Sequence, residues 1–171
     1  MIYDDISADS SIEKKISWAA HSYRKYRDIL IDDKNIRHLL EKFRKASSES
    51  QKEMIETGLV NLCRECEEEE GGACCGKGIE NRYSGTLLLI NLLLDVRLPE
   101  KAPDSKSCFF LGEKGCSLSA RHVICINYVC KKITDRIPGQ VLNNLREKEG
   151  AELDILFMLN EKIKSVLRGL K

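Results

Sequence analysis

The chain has 171 residues, 28 Lys and Arg against 27 Asp and Glu, and a formal charge of +1. That length suits one domain of roughly 100–200 residues. Such a chain can bury a core without the disulfides that chains below about 40 residues need. Near-neutral charge argues against nucleic-acid or membrane-surface binding driven by bulk electrostatics. The informative count is eight cysteines, against three histidines and one tryptophan.

The first residues, MIYDDISADSSIEKK, show no basic n-region, no apolar h-region and no small-residue cleavage site. A cytoplasmic location is the expectation. There, cysteines read as metal ligands or redox groups rather than disulfides. The most apolar run, 87–94, is interrupted by Asn91 and falls short of the roughly 20 residues a membrane span needs.

Three helices are expected before the cysteines. Ile12, Ile16, Ala19, Tyr23, Tyr26 and Leu30 share one face of the first, and Ser10 with Glu13 forms a capping-box signature. Asp32 or Asp33 can cap the second, whose stripe is Ile36, Leu39, Leu40 and Phe43. Ser50 with Glu53 repeats the capping box and opens a third, with Met54, Ile55, Leu59 and Leu62 on its apolar face. Residues 63–82 read as a loop, because Gly71, Gly72, Gly76 and Gly78 break any periodicity. Residues 86–96 fit a buried helix or a buried strand. Their leucine content favours the helix.

A polar connection, 99–107, leads to a short β-hairpin in which Cys108-Phe109-Phe110-Leu111 pairs with Cys116-Ser117-Leu118 across a glycine turn. Residues 120–132 are irregular or a short helix. After Pro138 and Gly139, Val141, Leu142 and Leu145 start a helix that Gly150 breaks. Leu156, Leu159, Ile163, Val166 and Leu170 mark the last one. The expected fold is mainly α, a helical frame around an irregular Cys-rich metal-binding region with a short hairpin. It forms a single domain, 1–171, with N-terminal helices at 10–62, the cysteine cluster at 63–135 and C-terminal helices at 139–171. The apolar stripes read as core. The C-terminal stripe also offers a homodimer seam.

All eight cysteines fall within 63–130. Cys63-x-x-Cys66 is a chelating spacing that lets two thiolates turn toward one ion, and it also fits a redox pair. Successive side chains diverge, so adjacent Cys74 and Cys75 suit two nearby metals, or one metal and another role. Cys108, Cys116, Cys125 and Cys130 complete the set. Thiolates select zinc, copper(I) and iron–sulfur clusters. Four ligands serve one zinc or one cluster, so eight could supply two centres, and spacing does not choose between them. Phe109, Phe110, Ile124, Ile126 and Tyr128 would give a dry surround.

In order and spacing, these residues resemble the bacterial and archaeal YkgJ-like cysteine-cluster family of zinc- or iron-chelating domains. Its pattern is CxxC, then CC, then C-F-L, a second C after a short turn, R-P-x-x-C and a final C. Here it appears as Cys63-x-x-Cys66, Cys74-Cys75, Cys108-Phe109-Phe110-Leu111, Cys116, Arg121-His122-x-x-Cys125 and Cys130. The resemblance covers about 63–130 and departs from the pattern twice: the gap between Cys66 and Cys74 is long, and His122 replaces a proline. It implies a metal-bound cysteine cluster holding zinc or an iron–sulfur centre. The family's relatives include a flagellin lysine methylase with an iron–sulfur centre. An iron–sulfur-dependent enzyme, redox or methylase-like, is therefore the alternative, although no S-adenosylmethionine site is recognisable.

His122 is the one histidine near the cysteines and reads either as a ligand or as a neighbouring surface group. The acidic run 67–70 reads as a solvated loop more than a hard-cation site. Arg121, Lys131 and Lys132 could offset thiolate charge, or form ordinary surface. Trp18 reads as core. No G-x-S-x-G, P-loop or G-x-G-x-x-G is present, and neither a nucleic-acid nor a membrane partner is expected.

Overall fold

The computed structural model describes residues 6–70, 75–102, 106–112 and 115–170. Their fold is mainly helical with one short antiparallel hairpin: α1 (Ile12–Asp32), α2 (Lys34–Glu56), α3 (Leu59–Glu70), a 3-10 turn (Ile79–Arg82), α4 (Gly85–Leu93), β1 (Leu111–Gly112), β2 (Gly115–Cys116), α5 (Val123–Asn127), α6 (Lys131–Arg136) and α7 (Gly139–Gly169). Among the described residues no helix is long and apolar enough to cross a membrane.

The expected stripes of α1, α2 and α7 pack inward, whereas the third is split between α2 and α3 and leaves Ile55 exposed. Ile12, Ala19 and Leu30 of α1, Ile36, Leu40 and Phe43 of α2, and Leu156, Leu159 and Ile163 of α7 lie in one core with Leu87, Leu88, Leu89 and Ile90 of α4. Asp33 caps α2, its Oδ1 accepting from the amides of Asn35 at 2.8 Å and Ile36 at 3.1 Å. The expected helix over 86–96 forms as α4 and ends at Leu93, with a turn at 94–95; it is capped by Ser84, whose hydroxyl accepts from the Leu87 amide at 3.1 Å. Gly85 permits α4 to approach α1 closely: a Cβ there would stand 2.5 Å from the Trp18 ring. Trp18 packs against the core, as expected.

Several boundaries differ from expectation. The N-cap of α1 is Ser11, one residue past Ser10. No helix opens at Ser50. α2 runs through it because Ser50 is fully buried against the rest of the protein, and the break falls at Gly58, whose φ of 78° suits glycine. Residues 63–82 are not one loop, since Cys63 and Cys66 sit on α3, one turn apart, and 79–82 form the 3-10 turn. Gly150 does not end a helix. α7 is continuous over 31 residues, because a helical glycine costs only about 1 kcal/mol and Leu145 and Leu156 on either side are both buried. Residues 120–132 contain the short helix α5 and the start of α6. The expected hairpin forms with Leu111 opposite Cys116.

The C-terminal stripe, read as a seam for a second copy, packs inward among α1, α2 and α4. Of that stripe only Leu170 is exposed, while Phe157 and Met158 are exposed on another part of α7. A second, smaller core joins Leu59 of α3, Ile133 of α6 and Ile137 to Leu145 of α7.

Where α2 meets α7, Glu149 and Glu152 are buried, at 1% and 0% exposure. Burial pushes the Glu149 carboxyl from an ordinary 4.5 up to about 7. Arg146 and Arg121 oppose the shift, and Glu152 adds to it. The folded state thus holds this proton more tightly than the unfolded chain. Its contribution to stability is favourable below the unfolded value and is lost as pH rises through the folded one. Glu149→Gln should therefore stabilise the protein at about pH 8 by about 1–3 kcal/mol. The gain should disappear at about pH 4, as urea unfolding at both values would show; an equal gain at both contradicts this account.

Candidate metal centre

Cys75, Cys108, Cys116 and Cys125 come from four separate stretches of chain; backbone hydrogen bonds join the stretches of the first three, and the Tyr83 hydroxyl contacts the fourth. The Cys108 amide donates to the Cys75 carbonyl at 2.7 Å, and the Lys77 amide to the Lys106 carbonyl at 3.0 Å. Cys116 closes the hairpin opposite Leu111, whose amide donates to the Cys108 carbonyl at 3.0 Å. Cys125 sits on α5, its amide donating to the His122 carbonyl at 2.8 Å.

The segment leading to α5 is fixed by Asn91. This side chain is fully buried in α4 and makes four hydrogen bonds. Its Nδ2 donates to the carbonyls of Leu87 at 3.0 Å and Ala120 at 2.9 Å. Its Oδ1 accepts from the amides of Ser119 and Ala120, both at 3.0 Å. Tyr83, at 1% exposure, provides the next anchor. Its hydroxyl accepts from the His122 amide at 3.1 Å and donates to Cys125 Sγ at 3.8 Å. Burial, then the nearby Cys116 and Cys125, push the Tyr83 phenol far above its ordinary range, so it remains a neutral donor. The ring packs on Phe110 with centroids 5.1 Å apart. Lys15, at 1% exposure, holds the approach to Tyr83 from α1, its Nζ donating to the carbonyls of Ala8 at 2.7 Å and Asn81 at 2.8 Å.

The thiols sense one another. Cys75 is pushed up to about 12, chiefly by the protein packed around its sulfur and then by Cys125, Cys116, Cys108 and Cys63. Burial likewise raises Cys108 to about 11, with Glu80, Cys116 and Cys125 adding to it and the Phe110 amide opposing. Cys116 and Cys125 are raised by burial, against the favourable charge of Arg121. Cys75 and Cys116 retain exposed surface, whereas Cys108 is buried and Cys125 half-buried.

Not every expected ligand joins this group. Cys63 lies on α3, exposed, with Cys66 one turn further along the same helix. Cys130 caps α6 and packs against the second core. α3 and α6 are tied there by Arg136 and Glu65 at 2.9 Å. Cys74, like Gly71 and Gly72, lies outside the described residues, as do the side chains of the acidic run 67–70, whose backbone ends α3. His122 caps α5, its Nδ1 accepting from the Ile124 amide at 3.2 Å, which leaves only Nε2 for an ion. Burial and Arg82 lower its pKa, so the imidazole is neutral. The dry surround is less extensive than expected: Phe109, Phe110 and Ile126 are buried, but Ile124 and Tyr128 are exposed. Among the described residues no three His, Cys, Asp or Glu side chains are drawn tightly enough to grip one ion.

Nothing in the sequence gives Tyr83, Asn91 or Lys15 a role at the site. Asn91 alone left a signal there, as the one polar residue within an apolar run, and a buried amide has to find partners. Comparison with protein-family models, with curated proteins and with solved structures finds no match.

Asn91→Leu would leave the Ser119 and Ala120 amides and the Ala120 carbonyl unpaired. It should cost about 2–4 kcal/mol and speed alkylation of Cys125, as denaturation and thiol mapping would show. Unchanged stability with unchanged Cys125 labelling contradicts the clamp.

Proposed function

We propose that this chain is a thiolate metal-binding protein holding zinc or an iron–sulfur cluster. Cys75, Cys108, Cys116 and Cys125 form the heart of its site, and Cys63 stands at the edge. Cys74 is the neighbour of Cys75 in sequence; Cys66 on α3 and Cys130 at the N-cap of α6 would be the further ligands of a second ion or a larger cluster. The observation that carries this reading is that the Cys108 amide bonds to the Cys75 carbonyl, the hairpin adds Cys116 to the same segments, and the Tyr83 hydroxyl reaches Cys125 Sγ. The order of all eight cysteines, similar to that of YkgJ-like domains, supports it from an independent direction.

The residues fit the chemistry. Thiolates are soft donors suited to zinc and iron–sulfur centres. Tyr83 offers a hydrogen bond to one sulfur, and such outer contacts orient ligands and tune a metal. A zinc ion there would lock the loop strands of the 75–125 region to one another. A cluster would add reversible electron transfer. The chain's own residues keep the site partly dry, through Phe109 and Phe110, and hold the strands in register through Asn91.

Full-length protein purified without oxygen should contain stoichiometric metal, and Cys75→Ser should lose most of it. Elemental analysis with a visible absorption spectrum checks both points and separates colourless zinc from a coloured cluster. Metal-free protein with full helicity, unable to take up either zinc or iron with sulfide, would overturn the reading.

A further inference from the structure

We infer that the cleft between α1, α2 and the end of α4 binds a small amphipathic carboxylate, a single carboxylate group on a short apolar body. The inference stands apart from the cysteine region, and its failure would leave the metal-centre reading untouched.

The cleft combines apolar and basic groups. Ile31 of α1, Leu40 of α2 and Leu93 of α4 give it an apolar floor, and Arg27, Arg37 and Arg44 line it with them, around a volume of about 250 Å³. Glu41 and Asp95 complete the lining, so three guanidinia against two carboxylates leave one positive charge. The volume falls below the roughly 300–1,000 Å³ of pockets for drug-sized ligands, which limits the occupant to a short molecule.

The three guanidinia differ in how many donors they have spent. Arg27 Nε donates to the Tyr23 hydroxyl at 3.0 Å, and its Nη1 to Asp28 Oδ1 at 3.1 Å. Among the described residues Arg44 donates only through Nη2, to Asp95 Oδ2 at 2.8 Å. The Arg37 side chain has no hydrogen bond or ion pair among the described residues. A free guanidinium presents its donors as a planar fork, which matches a carboxylate in two parallel hydrogen bonds. One unpaired cation beside an apolar floor therefore selects a monoanion with a tail over a bare, more highly charged ion.

Asp95 is the sign that this arrangement is built. It follows the C-cap of α4, where the Val96 amide donates to the Asn91 carbonyl at 2.9 Å and the Asp95 amide to the Leu92 carbonyl at 3.1 Å. Glycine is the usual residue at this place, because the turn needs a left-handed backbone. Asp95 adopts it with a φ of 65°, alone among the described non-glycine residues. What it adds over glycine is a carboxylate for Arg44. That ion pair is largely exposed, and such pairs contribute little to stability. Its effect is positional: it tethers the Arg44 guanidinium at the edge of the cleft.

Titrating the isotope-labelled full-length chain with sodium hexanoate at fixed ionic strength, followed by NMR, tests the assignment. Hexanoate should give saturable shifts centred on Ile31, Arg37, Leu40 and Leu93. Hexanamide, which lacks the charge, and inorganic phosphate, which lacks the tail, should each bind more weakly. Arg37→Gln should weaken hexanoate binding by about tenfold or more. Arg37 is exposed, so the exchange leaves the fold intact. Asp95→Gly relieves the backbone and makes the chain more positive, yet it should weaken binding several-fold, because Arg44 loses its tether. Attraction by bulk charge alone would do the reverse. Absence of saturable shifts at these residues, parent-like affinity in Arg37→Gln, unchanged or tighter binding by Asp95→Gly, or phosphate or hexanamide bound as tightly as hexanoate overturns the proposal.

Discussion

The candidate site depends on one buried amide. Asn91 sits in the most apolar helix of the protein and satisfies both of its donors and two acceptor positions within that helix and the 119–120 segment. A peptide segment crossing a core must place its amides and carbonyls somewhere. Here they go to a side chain rather than to another strand. Because Asn91 grips residues 119 and 120, Arg121 is held inside, His122 meets Tyr83, and Cys125 is set beside the Tyr83 hydroxyl. An apolar residue at 91 would suit α4 taken alone and would leave that segment without partners.

Around this clamp the molecule divides its labour. α1, α2, α4 and α7 supply the large core, and α3, α6 and the start of α7 a smaller one. The loop strands bearing Cys75, Cys108 and Cys116 have little regular structure of their own. Their order comes from a few backbone hydrogen bonds and from packing of Phe109 and Phe110 into the frame. The hairpin has only two residues in each strand, and an isolated two-stranded hairpin is marginal in water. A bound ion that cross-links these strands would contribute most where the polypeptide contributes least.

The helical frame was legible in sequence wherever burial repeats with helical period, as in α1, α2 and α7, and where a cap has no competitor, as at Asp33. Legibility failed where a local signal met a tertiary demand. Ser50 has the sequence of a helix cap but the environment of a core residue, and Gly150 has the sequence of a break inside a helix whose neighbours are anchored on both sides. Cys63 and Cys66 were expected in a loop because the glycines beyond them dominate the local pattern, although α3 continues past both. Of the site, the confinement of the cysteines to one region was readable. What sets Cys125 in place was not, because Tyr83 reaches it across 42 residues of sequence, and no periodicity carries that information.

The most direct measurement is a map of thiol protection. The full-length chain would be alkylated with and without zinc, and each cysteine read by mass spectrometry. One centre around Tyr83 predicts that Cys75, Cys108, Cys116 and Cys125 lose reactivity together over the same range of zinc, with Cys63 following them. Zinc that leaves these four at their metal-free labelling, or that protects them independently of one another, would contradict it.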